Sequence, residues 1–116
     1  MVSVIISLGS NYHQAVHIQW ASERLAYLLS DVRFSPKRWT QDIHHRGIWY
    51  VNRLVTAQTS MSVDELQRAL KAIEAETLRS PEHVTIDLDL MQYDHQCYHL
   101  KDWSREYIQL LIDDIL

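Results

Sequence analysis

Asp87 and Asp89 stand two residues apart in the run Val84–Thr85–Ile86–Asp87–Leu88–Asp89–Leu90–Met91. As a strand, this run sends Val84, Ile86, Leu88 and Leu90 to one face and Thr85, Asp87 and Asp89 to the other. At a rise of ~3.3 Å per residue the two carboxylates begin roughly 7 Å apart on a shared face. Like charges that close repel unless a cation stands between them. Magnesium suits such a pair, because it takes oxygen ligands and keeps waters for a phosphate-bearing substrate. Two acids on a solvated strand edge need no metal, so the pair alone leaves both readings open.

Other residues with chemical potential are less pointed. His13 and His17 are four apart on a predicted helix, a spacing that can chelate zinc. With His44, His45, His95 and His99 they suggest a metal site, but no third ligand is evident and solvent-exposed histidines are the expectation. Cys97 is the only cysteine. It excludes an internal disulfide, fits a reducing cytoplasm and reads as a small half-buried residue. There is no Gly-rich phosphate loop and no Ser-His-Asp or Cys-His pairing. Trp20, Trp39, Trp49 and Trp103 are many for 116 residues; most should be packing residues, and one could mark a self-association surface.

Composition narrows the classes. The length of 116 residues supports one core, so residues 1–116 are expected to form a single domain. A net charge of −4 argues against broad attraction to nucleic acid, so any phosphate ligand needs a local basic cluster or a metal. No apolar run approaches the ~18 residues of a membrane span. The opening MVSVIISLGSN has no basic leader and runs directly into a strand pattern, so a cytoplasmic protein is expected. Oligomeric state is not legible.

The elements that would hold Asp87 and Asp89 follow from periodicity. Val2, Val4, Ile6 and Leu8 alternate with Ser3, Ile5 and Ser7 as a well-buried first strand. Gly9–Ser10–Asn11 ends it, and Asn11 is the candidate cap of a helix of about five turns bearing Ile18, Ala21, Leu25 and Leu28. Residues 33–40 form an edge strand or bulge around Pro36. A polar loop from Gln41 to Gly47 leads to a strand over 49–58, with Trp49, Val51, Arg53 and Val55 on one face and Tyr50 and Asn52 on the other. Ser62 and Glu65 form a capping box, with Met61 and Leu66 as its hydrophobic staple. That helix buries Val63, Leu66, Ala69, Leu70 and Ile73 and should stop before Pro81. The Asp87/Asp89 strand follows, and residues 103–116 read as a last helix with Tyr107, Leu110, Leu111 and Ile115 on its apolar side. The order is β-α-β-β-α-β plus a C-terminal helix, an α+β ferredoxin-like sandwich with both crossover helices on one sheet face. The other face is free for ligand unless the last helix covers it.

With that order in place, four fragments together resemble one family. They are Ile6–Ser7–Leu8–Gly9–Ser10–Asn11, Tyr50–Val51–Asn52, Ala72–Ile73–Glu74 with Arg79, and Ile86–Asp87–Leu88–Asp89–Leu90–Met91, with a weaker echo at Arg105–Glu106–Tyr107. They resemble the hydroxymethyldihydropterin pyrophosphokinases of folate biosynthesis. The resemblance implies a kinase-type transferase that moves pyrophosphate from ATP to 6-hydroxymethyl-7,8-dihydropterin and releases AMP. It implies two magnesium ions with ATP, held by Asp87 and Asp89 as the catalytic and metal-binding pair. Thr40, Tyr50, Asn52 and Tyr107 would surround the pterin, and Glu74, Arg79 and His83 would meet the nucleotide. ATP and a reduced pterin are then the partners, with neither nucleic acid nor membrane. Glu74 also reads as an ordinary exposed helical acid, and Arg79 as a neutraliser of its own helix end.

The sequence departs from the family in its basic groups. The long arginine-rich loop before the aspartate strand is here only Ser80–Pro81–Glu82–His83. Val84 stands where the family has an arginine, and residues 93–101 drop the stretch that supplies a nucleotide-contacting histidine. Losing two charge-assisted contacts at ~1.5–3 kcal/mol each lowers rate or affinity by roughly 10²–10⁴. His83, Lys101 or Arg105 could restore part of this, although His83 is mostly neutral at pH 7. Weak transfer is therefore expected, with two alternatives: a catalytically impaired pterin- or nucleotide-binding paralogue, and an interaction module that uses only the scaffold surface.

Overall fold

The computed structural model describes residues 1–42 and 47–115. Along the chain run β1 (Val2–Ser10), α1 (Gln14–Leu28), β2 (Ser30–Phe34), β3 (Arg38–Gln41), β4 (Trp49–Thr59) and α2 (Val63–Ala75). Then come β5 (Asp87–Tyr93), β6 (Gln96–Cys97), α3 (Leu100–Trp103) and α4 (Glu106–Ile115). The strands form one sheet in the order β2-β4-β1-β5-β6, with β3 also against β4. Every pairing is antiparallel. This is the ferredoxin-like arrangement expected from the element order.

The expected edge strand around Pro36 is real but split. Arg33 and Phe34 pair with Thr56 and Val55, whereas Arg38 to Gln41 pair with Asn52 to Trp49. Between them Pro36 has no N–H to give to the ladder. Ser35 takes over there, its Oγ accepting from the Leu54 amide at 2.9 Å.

Strand alternation divides the molecule. Val4, Ile6, Leu8, Val51, Val55 and Leu90 bury against Ile18, Leu25, Leu66 and Leu70 of the two long helices. The predicted capping box starts α2: Ser62 Oγ accepts from the Glu65 amide at 3.2 Å, and Glu65 Oε1 accepts from the Ser62 amide at 3.1 Å. On the opposite face Leu54 and Met91 bury under Ile108 and Leu111 of α4. Met91 stands on that face by the same alternation as Asp87 and Asp89, and a bulge lies there in the ladder, where Ile6 pairs with Leu90 and Ile5 with Gln92.

Several boundaries differ from expectation for visible reasons. Asn11 does not cap α1; its Oδ1 accepts from the Val84 amide at 2.7 Å and its N–H donates to the Val84 carbonyl at 2.9 Å. It thereby ties the exit of β1 to the approach to β5, and His13, at φ 45°, precedes the helix instead. α2 ends at Ala75, before Pro81 as expected. The last helix is not continuous over 103–116: Ser104 and Arg105 separate α3 from α4. Its inward stripe is Ile108 and Leu111, backed by Tyr107, Ile112 and Ile115 rather than by Leu110. The hairpin partner β6, turned by Asp94 at φ 54°, carries no signal in the sequence reading.

Candidate active site

α4 covers only part of the open sheet face. Beside it lies a cavity of about 510 Å³, lined from β1 by Ser7 and Gly9, from β4 by Tyr50 and Asn52, and from β5 by Asp87 and Asp89. Thr40 closes it on the β3 side, while Arg105 and Tyr107 close it at the start of α4. That size suits a small ligand. Gly9 pairs with Asn52 on one side and Asp87 on the other, which puts it at the centre of the floor. A Cβ there would stand 3.5 Å from Asn52 Oδ1, so the fold has room for it and the glycine serves to keep the floor low.

Six of the residues singled out in sequence come together here: Thr40, Tyr50, Asn52, Tyr107, Asp87 and Asp89. Asn52 is buried, and its Nδ2 donates to Thr40 Oγ1 at 2.7 Å. Asp89 has a carboxyl pushed up to about 6, first by burial and then by the charge of Asp87, with His99 opposing. Burial is also the main cause that raises the phenols of Tyr107 and Tyr50, and the charge of Asp42 adds to the latter.

The three residues assigned to the nucleotide are placed differently from one another. Arg79 Nη1 lies 3.5 Å from Asp87 Oδ1, at the edge of the carboxylate pair and past the end of α2. Glu74 is buried rather than exposed; its Oε2 accepts from the Leu88 amide at 2.8 Å, and Lys71 Nζ lies 3.2 Å from its Oε1. It therefore satisfies a backbone donor on the outer edge of β5 and does not line the cavity. His83 stacks on Tyr12, ring centroids 4.0 Å apart, and does not line the cavity either.

Sequence reasoning missed four contributors. Residues 93–101 do bring a histidine to the site: His99 Nε2 lies 3.9 Å from Asp89 Oδ1, and its backbone is left-handed at φ 54°. Asp42, Asp102 and Glu106 add carboxylates to the lining. Strand alternation past Thr40 could have found Asp42; the others depend on how the chain turns after β6. Trp39 and Trp49 sit on the face away from the cavity and do not line it. His44 and His45 lie outside the described residues. Among the described residues no group of three or more His, Cys, Asp or Glu is arranged to hold a metal ion. The rings of His13 and His17 have centroids 6.5 Å apart.

An antiparallel sheet with the two long helices on one face, and α4 beside a carboxylate-lined cavity on the other, defines an α+β fold with one open face. The family model for 7,8-dihydro-6-hydroxymethylpterin-pyrophosphokinase (HPPK) matches residues 5–116, and the chain belongs to that family. A search of curated proteins gave no match. Among the described residues no helix is long and apolar enough to cross a membrane.

Proposed function

We propose that residues 1–116 act as a single domain that transfers pyrophosphate from ATP to 6-hydroxymethyl-7,8-dihydropterin with the help of magnesium. The observation that carries this reading is the convergence of Asn52, Thr40, Tyr50 and Tyr107 with Asp87 and Asp89 in one cavity. Placement in the cytoplasm belongs to the same reading.

The donor set fits a hard divalent cation. Two carboxylates share one face, and burial together with mutual repulsion makes one of them hard to ionise. Their nearest basic groups approach only to 3.5 Å, for Arg79, and 3.9 Å, for His99. Magnesium bound at Asp87 and Asp89, as two ions with ATP, would neutralise the triphosphate and orient the attacking hydroxyl. The chain's own residues position the reactants. Asn52 and Thr40 hold the polar edge of the pterin, and Tyr107 and Tyr50 supply aromatic surface. Arg105, fixed by Asp102 at 3.0 Å, offers its guanidinium to phosphate. The hydroxymethyl oxygen bonds to the β-phosphorus, the bond from that phosphorus to the AMP oxygen breaks, and the hydroxyl proton passes to water or to AMP.

Among the described residues the cavity lining has five carboxylates, Asp42, Asp87, Asp89, Asp102 and Glu106, and one guanidinium, that of Arg105. That balance supports weak transfer. It also supports a second reading, a paralogue that binds the pterin or the nucleotide without turnover. The test is AMP release from ATP with magnesium and the reduced pterin, run beside Asp87→Ala. Pterin-dependent AMP that falls ~10²–10³-fold in the variant supports the transferase. A folded wild type that binds pterin and releases no AMP selects the second reading, and one that does neither removes both.

A further inference from the structure

The outward side of α1 is apolar where a surface helix is ordinarily polar. At the helical repeat, Val16, Trp20, Glu23 and Tyr27 fall within an arc of about 60°, opposite the buried Ile18 and Leu25. Tyr27 is 92% exposed and Val16 69%. Between the first half of α1 and the segment after α2 runs a groove of about 610 Å³, whose lining includes Tyr12, Val16, Trp20, Thr77 and Leu78. Its walls are tied together: Arg24 Nη2 donates to Glu76 Oε2 at 2.9 Å, and the Thr77 and Thr85 hydroxyls meet at 2.6 Å. Leu78, on its rim, is 96% exposed. Tyr27 lies outside the groove, roughly 16 Å from Val16 along the helix. One face therefore carries both a projecting aromatic ring and an apolar groove.

We propose that this face binds a second copy of the chain, with the two α1 helices antiparallel across a two-fold axis. With the axis midway along the stripe, Tyr27 of each copy meets Val16 of the other and fills its groove beside Leu78. The same register sets Glu23 against Trp20. Glu23 Oε1 accepts from Gln19 Nε2 at 3.1 Å within its own helix, which leaves Oε2 to accept the indole N–H of the other copy. A tryptophan that becomes buried needs such an acceptor. A projection and its receptacle on one face close on each other in an isologous pair, so assembly stops at two. A lipid surface is the poorer fit, because such helices surround their apolar stripe with free basic residues. Here an acid interrupts the stripe, and Arg24 is held by Glu76. The pair leaves the acidic cavity of each copy open, since that cavity lies on the other face of the sheet from α1.

Sedimentation equilibrium of the full chain measures the assembly. Wild type should be largely dimeric at about 200 μM. Tyr27→Glu sets a carboxylate in the apolar groove and should raise the dimer dissociation constant at least about 10-fold. Both Tyr27 and Val16 are exposed, so their variants should melt at the wild-type temperature. Adding Val16→Lys to Tyr27→Glu puts a cation opposite that carboxylate only across the two-fold axis, since the two positions are roughly 16 Å apart within one chain. The double variant should return to within about three-fold of the wild-type constant. A wild type that stays monomeric at that concentration overturns the proposal, and if it floats with phosphatidylglycerol vesicles the face belongs to a lipid surface. A dimer indifferent to Tyr27→Glu, or a double variant no tighter than Tyr27→Glu alone, overturns it equally.

Discussion

Along the open face of the sheet, the half beneath α4 is built from Leu54, Met91, Ile108 and Leu111, all buried. The half beside it, on the same strands, is built from Asn52, Asp87 and Asp89 around a cavity. Leu54 is two residues from Asn52 on β4, and Met91 is two from Asp89 on β5. A step of one pleat therefore separates a region that stabilises the fold from one that strains it. Sealing apolar surface is favourable wherever it occurs. Gathering carboxylates on a half-buried floor is not, and persists for what the cavity holds. The two halves should respond to mutation in opposite ways.

The largest effect on the fold is expected from the sealed half. Leu111 is fully buried between α4 and the sheet. Leu111→Ala should cost about 3 kcal/mol, from lost transfer energy and the cavity left behind. Urea unfolding measures this. Because α4 also carries Tyr107 into the neighbouring half, pterin affinity should fall with it. Full stability in Leu111→Ala would mean that α4 is not a structural wall, and the division between the halves would be lost.

Glu74 sharpens the comparison because it lies behind the acidic half yet serves the fold. Its Oε2 is the acceptor for the Leu88 amide, and its charge is one cause of the raised Asp89 carboxyl. Glu74→Ala should destabilise by about 2 kcal/mol, since it leaves a backbone donor without its acceptor. Glu74→Gln keeps an acceptor oxygen and should cost much less. Both variants should keep magnesium-ATP affinity near that of wild type. An ATP affinity that drops ten-fold in a well-folded Glu74→Gln would return this residue to the nucleotide.

Period-two patterns made the strands and the shared face of Asp87 and Asp89 legible in sequence, because alternation is a local property. Tyr50 and Asn52 were placed on the correct face for the same reason. Pro36 announced the broken edge through its missing donor. Other features depend on long-range partners. Nothing near Glu74 announces that the outer edge of β5 needs an acceptor, and Asn11 looks like a cap until Val84 is seen to claim it. His99 enters the site because the chain turns back at Asp94, a left-handed residue that is not glycine. His83 sits near the aspartates in sequence, but its ring stacks on Tyr12 instead. Spacing therefore found residues that share a strand and misjudged residues delivered by loops.

The smallest expected effect tests the strain in the polar half most directly. In the metal-free chain the Asp89 carboxyl lies at about 6, against an ordinary value of 3.8, mainly through burial. The folded state therefore holds this proton more tightly than the unfolded chain does. Its contribution favours folding below pH 4, is lost as pH rises from about 4 to 6, and is absent above that. The full linkage would be about 3 kcal/mol, and solvent screening of a side chain one-third exposed reduces it to about 1 kcal/mol. Asp89→Asn, which cannot ionise, should unfold at higher denaturant than wild type at pH 7.5 in chelator, and the gap should close towards pH 4. Magnesium should narrow the gap at pH 7.5 by stabilising wild type alone, because a cation that binds only the ionised folded site adds to its stability. A variant no more stable than wild type at pH 7.5 would show that the floor carries no electrostatic strain, and the two halves would then differ in polarity but not in what they do to the fold.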